Sequence, residues 1–379
     1  MRLAIVNLTG GDMSEGYKKY LKYMLPLLSS HNEIEAILCA SPTYLSINKS
    51  LIDLEKVKFT YCKPFSLIGR SDTLMLSDLE AFRPEVIFIP MERYFRYKNV
   101  PIVCMFQNML PLVNLQHISV IEFLRNKVQK LLSKKAANLS KGIIAVSSFV
   151  SKYLQSEWNI EEEKIGVVYH GVDVSPKLNT IAPQSIPVEW DGNFIFIAGA
   201  IEPYKGLEDI FFALNHLRHS GYGLVNVIIA GPVRPAMASY FIKLKELVNK
   251  LGMHDIVKWV GLLNENEMSW CYSHSHVFIM TSRVEACPNT ALEAMSHGSL
   301  IISSNSRPMP EIFRDTATYY ETGDTEKLAR CIIDSFCLSS YEKKQLSQKI
   351  IIRSLEFSWN STASKTIEHL KNACSKSFS

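Results

Sequence analysis

The segment MTSRVEACPNTALEAMSHG occupies residues 280–298 and connects a short apolar run to an amphipathic stretch. Polar residues and Pro288 interrupt the apolar run, and a helical pattern starts near Asn289, where a preceding proline favours helix entry. The segment therefore predicts a strand, a loop and a helix in succession. This succession is the repeating unit of α/β proteins with parallel sheets.

The same alternation continues in both directions along the chain. The short runs are continuously apolar rather than alternating, which is typical of parallel strands covered on both faces. The predicted strands span residues 3–8, 34–40, 86–90, 102–106, 143–146, 165–169, 194–199, 225–230, 256–260, 277–281 and 300–303. The clearest predicted helices span residues 15–28, 119–137, 207–219 and 235–251.

The best candidate linker spans residues 174–191, which contain three prolines with polar residues between them. It separates two halves of similar size, and each half begins with a strand followed by a glycine-containing turn. We therefore expect two doubly wound, Rossmann-like domains, 1–175 and 176–358. In such domains ligands bind outside the carboxyl ends of the strands, so we expect a binding cleft between the two.

Composition places the chain among globular proteins. Of its 379 residues, 47% are hydrophobic and 21% are charged, which disfavours a disordered chain or a coiled coil. No uncharged apolar run approaches the ~18 residues that a membrane span requires. The eight cysteines are scattered and form no CxxC pair, so we expect a reduced, cytosolic compartment.

Two carboxylates flank the predicted helix start in the segment at 280–298. Glu285 lies in the loop and Glu293 lies about one turn into the helix. Between them, the free N–H groups near Asn289 and Thr290 form an anion site, and the carboxylates could accept hydrogen bonds from sugar hydroxyls. Glu293 has an alternative interpretation, because Thr290-x-x-Glu293 matches a capping box that needs no ligand. Glu285 has no such alternative.

Two further strand ends have the features of phosphate-binding turns. Gly10 and Gly11 follow the first strand, where glycines allow a ligand close to the backbone and a helix N-terminus favours anions. Lys205 precedes a helix at the start of the second half and could neutralise a phosphate. A plain strand–helix turn and a solvated surface lysine are the alternatives. The glycines do not form GxGxxG, which disfavours a nicotinamide-dependent dehydrogenase.

The spacing of Glu285 and Glu293, with seven residues between them in EACPNTALEAMSHGSLIISSN, resembles the retaining glycosyltransferases of family four, which have the GT-B fold. AGAIEPYKGL, VVYHGVD and AVSSFVSKYL are similar to other family segments, so the resemblance extends over most of the chain. VCMFQNMLPL is similar to a segment of bacterial members that build O-antigen, capsule or other surface polysaccharides. FSWNSTASKTIEHL resembles the family's C-terminal helix, here 359–379, which crosses back to the first domain.

The resemblance implies an acceptor-binding first domain and a second domain that binds a nucleoside-diphosphate sugar. Lys205 would stabilise the leaving diphosphate together with the amides near Asn289 and Thr290, Glu285 would contact the transferred sugar, and Glu293 would contact the ribose. The remaining implied donor contacts are Gly10, Gly11, Leu262 and Leu263.

The expected acceptor is a saccharide or a polyprenyl-linked saccharide. We expect neither a metal nor a cofactor, because the chain has no Asp-x-Asp at a strand end and the pair His274 and His276 lacks further ligands at zinc spacing.

The chain departs from the family's pattern at two positions. Ala200 stands where the family usually has an arginine, and Arg283 or Arg234 could substitute for it. Gln107 stands where the family commonly has a first-domain histidine. Gln107 and the following Asn108 can hydrogen-bond a sugar but cannot act as acid or base at neutral pH.

Two other functions remain open at this point. A sugar-nucleotide epimerase can share the two-domain fold and would need an acid/base residue near the sugar; His170, also a candidate sugar contact, is the one we identify. A catalytically inactive partner subunit is suggested only by Ala200 and Gln107, whereas Glu285 and Lys205 are both retained.

Residues 118–141 predict a basic amphipathic helix. Between 118 and 152 there are seven basic residues and one acid, Glu122. The helix could lie over the core with its lysines in solvent, or it could contact anionic lipid at the inner membrane face. We expect no nucleic-acid partner, because the segment lacks a recognised binding motif. Its apolar stripe is Ile121, Leu124, Val128 and Leu131, and its lysine face is Lys127, Lys130 and Lys134.

Overall fold

The computed structural model describes residues 1–8, 15–42, 54–63, 72–110, 112, 120–173 and 180–375, without the side chains of residues 15 and 120–122. The chain divides into two compact units. The first contains Met1–Gly171 together with Ser358–Ser379, and the second contains Val172–Phe357.

The described part of the first unit contains one sheet of seven parallel strands in the order β3-β2-β1-β4-β5-β6-β7. The strands are β1 Arg2–Val6, β2 Ala36–Ser41, β3 Val57–Tyr61, β4 Val86–Ile89, β5 Ile102–Phe106, β6 Gly142–Ala145 and β7 Ile165–Val167. The helices between them are α1 Glu15–Ser30, α2 Thr73–Phe82, α3 Val120–Leu139 and α4 Ser148–Trp158. The order of the strands reverses between β1 and β4.

The described part of the second unit repeats this arrangement with six parallel strands in the order β10-β9-β8-β11-β12-β13. The strands are β8 Phe194–Ala198, β9 Asn226–Ala230, β10 Val257–Gly261, β11 Val277–Met280, β12 Ile301–Ser304 and β13 Thr318–Tyr320. The helices are α5 Glu208–His219, α6 Ala238–Lys250, α7 Glu265–His274, α8 Asn289–Ser296, α9 Met309–Phe313, α10 Thr325–Cys337 and α11 Ser340–Ser354. Here the order reverses between β8 and β11.

Local sequence explains where the elements begin and end, as α4 illustrates. The Ser147 side chain accepts a hydrogen bond from the Val150 N–H and caps the first turn. Val150, Leu154 and Trp158 recur at helical spacing and are buried. Asn159 ends the helix in the left-handed conformation, with φ of 55°, which asparagine tolerates better than most residues.

The last helix of the chain, α12 Trp359–Ser375, belongs to the first unit. The Trp359 ring stacks on Tyr23 of α1, with 5.1 Å between the ring centroids. His369 lies against β7, because a Cβ placed on Gly166 would come within 2.7 Å of the imidazole. Glycine at this strand position therefore allows α12 to pack closely on the sheet.

The structure confirms the predicted α/β class with two doubly wound sheets. Every predicted strand corresponds to an observed one, with end points that shift by up to two residues. The prediction missed β3 and β13, which both lie at sheet edges. In the described ranges, no helix has both the length and the apolar character needed to cross a membrane.

Candidate functional site

The candidate site lies in the second unit, where the strand order reverses. The strands β8 and β11 are direct neighbours at this point. The loop after β8 carries Lys205, and the loop after β11 carries Glu285. Open α/β sheets bind ligands at the carboxyl ends of the strands at such a reversal, so both side chains occupy the expected place for a site.

Lys205 and Glu285 form a largely buried ion pair. The Lys205 Nζ lies 2.6 Å from the Glu285 Oε1, and the two side chains are 13% and 12% exposed. Ser282 Oγ donates to the same carboxylate oxygen at 2.8 Å. Burial acts to lower the pKa of Lys205, but the Glu285 carboxylate, with smaller contributions from Tyr204 and Glu202, raises this pKa above its ordinary value. The ammonium is therefore charged at neutral pH.

Glycines and hydrogen bonds bring the two loops together. The Lys205 side chain lies over Gly199, where an added Cβ would come within 3.0 Å of the lysine Cε. Gly206 adopts a φ of 61°, and a Cβ there would come within 2.7 Å of the Thr281 carbonyl oxygen. Thr281 Oγ1 donates to the Lys205 carbonyl at 2.5 Å. These close approaches fix the position of the lysine relative to the second loop.

Arg283 is one of the two proposed substitutes for an arginine at position 200. It anchors the loop after β11 to α5. Its guanidinium donates to both oxygens of Asp209, at 2.8 and 2.7 Å. Asp209 is buried and also accepts hydrogen bonds from the Tyr320 hydroxyl and the Gly323 N–H, each at 3.1 Å. This network ties the site loop to α5 and to the end of β13.

The start of α8 corrects the capping-box interpretation of Glu293. The N-cap residue is Pro288, and no side chain caps the helix. Thr290 is therefore the second helical residue, which places Glu293 beyond reach of the N-cap amide. The Glu293 Oε2 instead accepts a hydrogen bond from the Tyr272 hydroxyl at 2.9 Å. Asn289 Oδ1 is buried and has no hydrogen-bond partner among the described residues.

The remaining predicted donor contacts are distributed as follows. Leu262 follows β10 and is 66% exposed, and Leu263 beside it is partly buried. Gly10 and Gly11 lie outside the described residues. The structure brings Lys205, Glu285 and the start of α8 to one edge of the second sheet, and the roles assigned to all of these residues stay predictions.

In the first unit, Gln107 and Asn108 follow β5 and surround a carboxylate that the sequence analysis missed. Their backbone N–H groups donate to the Glu92 Oε1 at 2.6 and 2.7 Å. The Gln107 side-chain amide donates to the Pro90 carbonyl at 2.8 Å. Burial raises the pKa of Glu92 above its ordinary value, although the two backbone hydrogen bonds oppose this shift. The available signal was an acid directly after a continuous apolar run.

His170 lies in an aromatic cluster of the first unit. Its ring centroid is 5.9 Å from that of Tyr20 and 6.4 Å from that of Trp359. Burial lowers the pKa of His170 to about 4. The imidazole is therefore neutral at pH 7, and it is buried among these rings.

Two family models match the chain, one in each half. Residues 180–351 match the family described as Glycosyl transferases group 1. Residues 19–176 match the family described as Glycosyltransferase Family 4. The two matched ranges together span most of the chain.

Two characterised relatives are mannosyltransferases. The O-antigen chain mannosyltransferase RfbU of Salmonella typhimurium is 22% identical over 336 residues, which are 84% of this chain and 87% of that protein. The MMP alpha-(1->4)-mannosyltransferase of Mycolicibacterium hassiacum is 25% identical over 250 residues, 65% of this chain and 57% of that protein.

Two solved structures have a similar fold. Anabaena HepE in complex with UDP-glucose aligns with a TM-score of 0.74 and 16% identity over 98% of this chain and 99% of that one. The sucrose-phosphate synthase of Thermosynechococcus elongatus aligns with a TM-score of 0.75 and 14% identity over 97% of each chain. At these identities the similarity establishes a common fold.

Proposed function

We propose a function from the premise that this chain belongs to the group 1 glycosyltransferases and has their GT-B fold. The chain transfers a sugar from a nucleoside-diphosphate sugar to a saccharide acceptor, with retention of anomeric configuration. The observation that carries this proposal is the buried Lys205–Glu285 pair at the carboxyl ends of β8 and β11. The mannosyltransferase relatives make a mannosyl donor and an O-antigen type of polysaccharide the first choices.

The donor contacts follow from the chemistry of each side chain. An ammonium has three N–H donors, so Lys205 can retain Glu285 and also donate to the diphosphate. The amides at the start of α8 supply further donors to an anion. The buried Asn289 Oδ1 can accept a hydrogen bond from a hydroxyl group of the nucleoside-diphosphate sugar. Glu293, oriented by Tyr272, accepts from the ribose hydroxyls.

The proposed reaction balances without a protein nucleophile. The bond from the anomeric carbon to the diphosphate oxygen breaks, and the acceptor oxygen forms a bond to that carbon on the same face. The acceptor proton moves to the leaving phosphate oxygen. Lys205 stabilises the negative charge that develops there. This scheme uses no metal ion or other cofactor, and no pair of glycosidase-type carboxylates.

A peripheral membrane contact is the second part of the proposal, and α3 supports it. Leu124, Val128 and Leu131 are 57%, 41% and 69% exposed. A helix that lies over the core with only its lysines in solvent would bury this apolar stripe, and these three members of the stripe are not buried. Exposed lysines, Lys127 and Lys134, lie beside it, and residues 123–141 contain no acid. We place this face on the anionic inner membrane surface, close to a polyprenyl-linked acceptor.

The membrane contact is tested by sedimentation with vesicles that contain or lack anionic phospholipid. Wild-type protein is expected to bind the anionic vesicles, and Leu124→Ser/Leu131→Ser to lose most of this binding. A matched control is Ile242→Ser on α6, an apolar side chain that is also exposed (56%). Equal binding by all three proteins would exclude α3 as the contact.

The catalytic proposal is tested by a donor screen with UDP-, GDP-, ADP- and dTDP-sugars in the presence of a metal chelator. Thermal stabilisation and slow release of free nucleotide are followed. We expect the sugar donors of one nucleotide class to stabilise the protein and to release their nucleotide slowly. Epimerised sugar without nucleotide release would identify an isomerase. Failure of every donor to bind would favour an inactive partner subunit.

A further inference from the structure

The charge of Lys205 is largely compensated before any donor binds. Its Nζ contacts the Glu285 carboxylate, and both side chains are buried to the same degree, with 13% and 12% exposed. A diphosphate that approaches this pair meets an ammonium and a carboxylate together. A second cation at the same edge of the sheet would therefore strengthen diphosphate binding.

Arg283 is poorly suited to this role. Its guanidinium forms a two-pronged ion pair with Asp209, whose side chain is only 4% exposed. Breaking this pair would leave a buried carboxylate without its counter-charge, which costs far more than a surface pair is worth. Arg283 thus orders the loop and stays with Asp209.

Arg234 differs from Arg283 in its exposure. It pairs with the Glu202 carboxylate. One oxygen of this carboxylate contacts both the Nε and a terminal nitrogen of the Arg234 guanidinium. The Arg234 side chain is 49% exposed, whereas the Glu202 side chain is 5% exposed. The pair is therefore oriented with its positive end towards solvent and its negative end in the protein.

The loop that carries Arg234 lies directly against the loop that carries Lys205. The Gly199 N–H donates to the Ala230 carbonyl at 2.9 Å, and the Ile201 N–H donates to the Pro232 carbonyl at 3.0 Å. Glu202, which binds Arg234, lies in the same turn as Lys205, whose backbone N–H donates to the Glu202 carbonyl at 3.0 Å. Both cations thus belong to neighbouring loops at the carboxyl end of the sheet.

We propose that Arg234, oriented by the buried Glu202, is a second cation for the diphosphate of the donor, next to Lys205. This assignment rests on the proposed donor chemistry. Glu202 fixes the guanidinium before the donor arrives, so little side-chain entropy is lost on binding. A phosphate oxygen gains a charge-assisted hydrogen bond at the exposed end of the pair.

The test compares a nucleoside diphosphate with the monophosphate of the same base, chosen from the donor screen, by calorimetric titration. Arg234→Ala is expected to weaken diphosphate binding about tenfold and monophosphate binding less than about twofold, as for one lost hydrogen bond between charged groups. Arg234→Lys is expected to recover part of the loss. Lys250→Ala, which removes an exposed charge at the end of α6, is the matched control and is expected to bind as wild type.

A second-site variant separates a charge effect from a folding effect. Ala200 lies between Gly199 and Ile201 in the same loop, so Ala200→Arg in the Arg234→Ala background returns a cation to this place and is expected to restore diphosphate affinity. Unchanged diphosphate binding by Arg234→Ala, or an equal loss of affinity for both nucleotides, would overturn the assignment of Arg234 and leave the proposed donor chemistry in place. A wild-type protein that binds no nucleotide would overturn the proposed donor chemistry with it.

Discussion

The two units place a glutamate with a largely buried side chain at corresponding points of the same strand order. Glu92 follows β4 and Glu285 follows β11, and each of these strands is the first one beyond the reversal. Their partners differ. Glu92 accepts two backbone N–H groups from the loop after β5, whereas Glu285 accepts the Lys205 ammonium and the Ser282 hydroxyl.

The difference is between a carboxylate held by backbone groups and one held by a side-chain cation. Backbone N–H groups are fixed by the sheet, so Glu92 joins two strand ends and has no partner that a ligand could take over. A lysine side chain has further N–H donors and can share them with an arriving anion. The same topological position therefore carries a glutamate with backbone partners in the first unit and a glutamate with a side-chain cation as partner in the second.

The largest expected effect follows from removal of the cation. Lys205→Ala is expected to reduce sugar transfer by about 10³-fold, because the leaving diphosphate loses a charged donor whose side chain is largely buried. Initial rates of nucleotide release with acceptor present measure this effect. Lys243→Ala, which removes an exposed charge on α6, is the control. Transfer within a few-fold of wild type would show that Lys205 is only a partner of Glu285.

How much of this site was visible in the sequence depends on the length and coverage of each element. The strands that helices cover on both faces have continuous apolar runs, and all of these strands were predicted. Only one residue of each missed strand is buried, Val57 of β3 and Tyr320 of β13, so neither strand leaves such a run. Lys205 and Glu285 were both recognised, because each follows a predicted strand and lies in a recognisable segment.

Other features depend on contacts that no local pattern contains. The hydrogen bonds to Glu92 require β4 and β5 to be neighbours in register, so the acid alone gave no motif. Tyr272 reaches Glu293 from the preceding helix, and the capping-box pattern concealed this contact. The pairing of Arg234 with Glu202 likewise depends on the adjacency of β8 and β9.

A smaller effect is expected when only the charge of Glu285 is removed. Glu285→Gln keeps the shape of the side chain and is expected to reduce transfer roughly 10- to 100-fold, as for the loss of a hydrogen bond from the sugar to a charged group. Nucleoside diphosphate binding is expected to be unchanged or tighter, because Lys205 loses its competing anion. Calorimetry and transfer rates are measured together.

The control for this variant is Glu246→Gln on α6, where the side chain is exposed. A parallel loss of diphosphate affinity and transfer in Glu285→Gln would mean that the carboxylate only positions Lys205. A loss confined to transfer would assign Glu285 to the sugar.

The smallest effect on transfer is expected in the first unit. Glu92→Gln retains an oxygen that can accept both backbone N–H groups, so transfer is expected to stay within about threefold of wild type, in the range of a neutral replacement. Its effect should appear in stability instead. Because burial raises the folded-state pKa of Glu92, the folded chain holds this proton to a higher pH than the unfolded chain.

The ionised carboxylate therefore lowers stability above its ordinary pKa of about 4.3, and this cost disappears as the pH falls to that value. Glutamine is neutral throughout, so the free energy of unfolding of Glu92→Gln minus that of wild type is expected to increase between about pH 4 and pH 7, where the carboxyl group ionises. Urea unfolding at both values measures it, and other titrating groups cancel in the difference. A pH-independent difference, or a loss of transfer as large as that of Glu285→Gln, would mean that both units use this carboxylate in the same way.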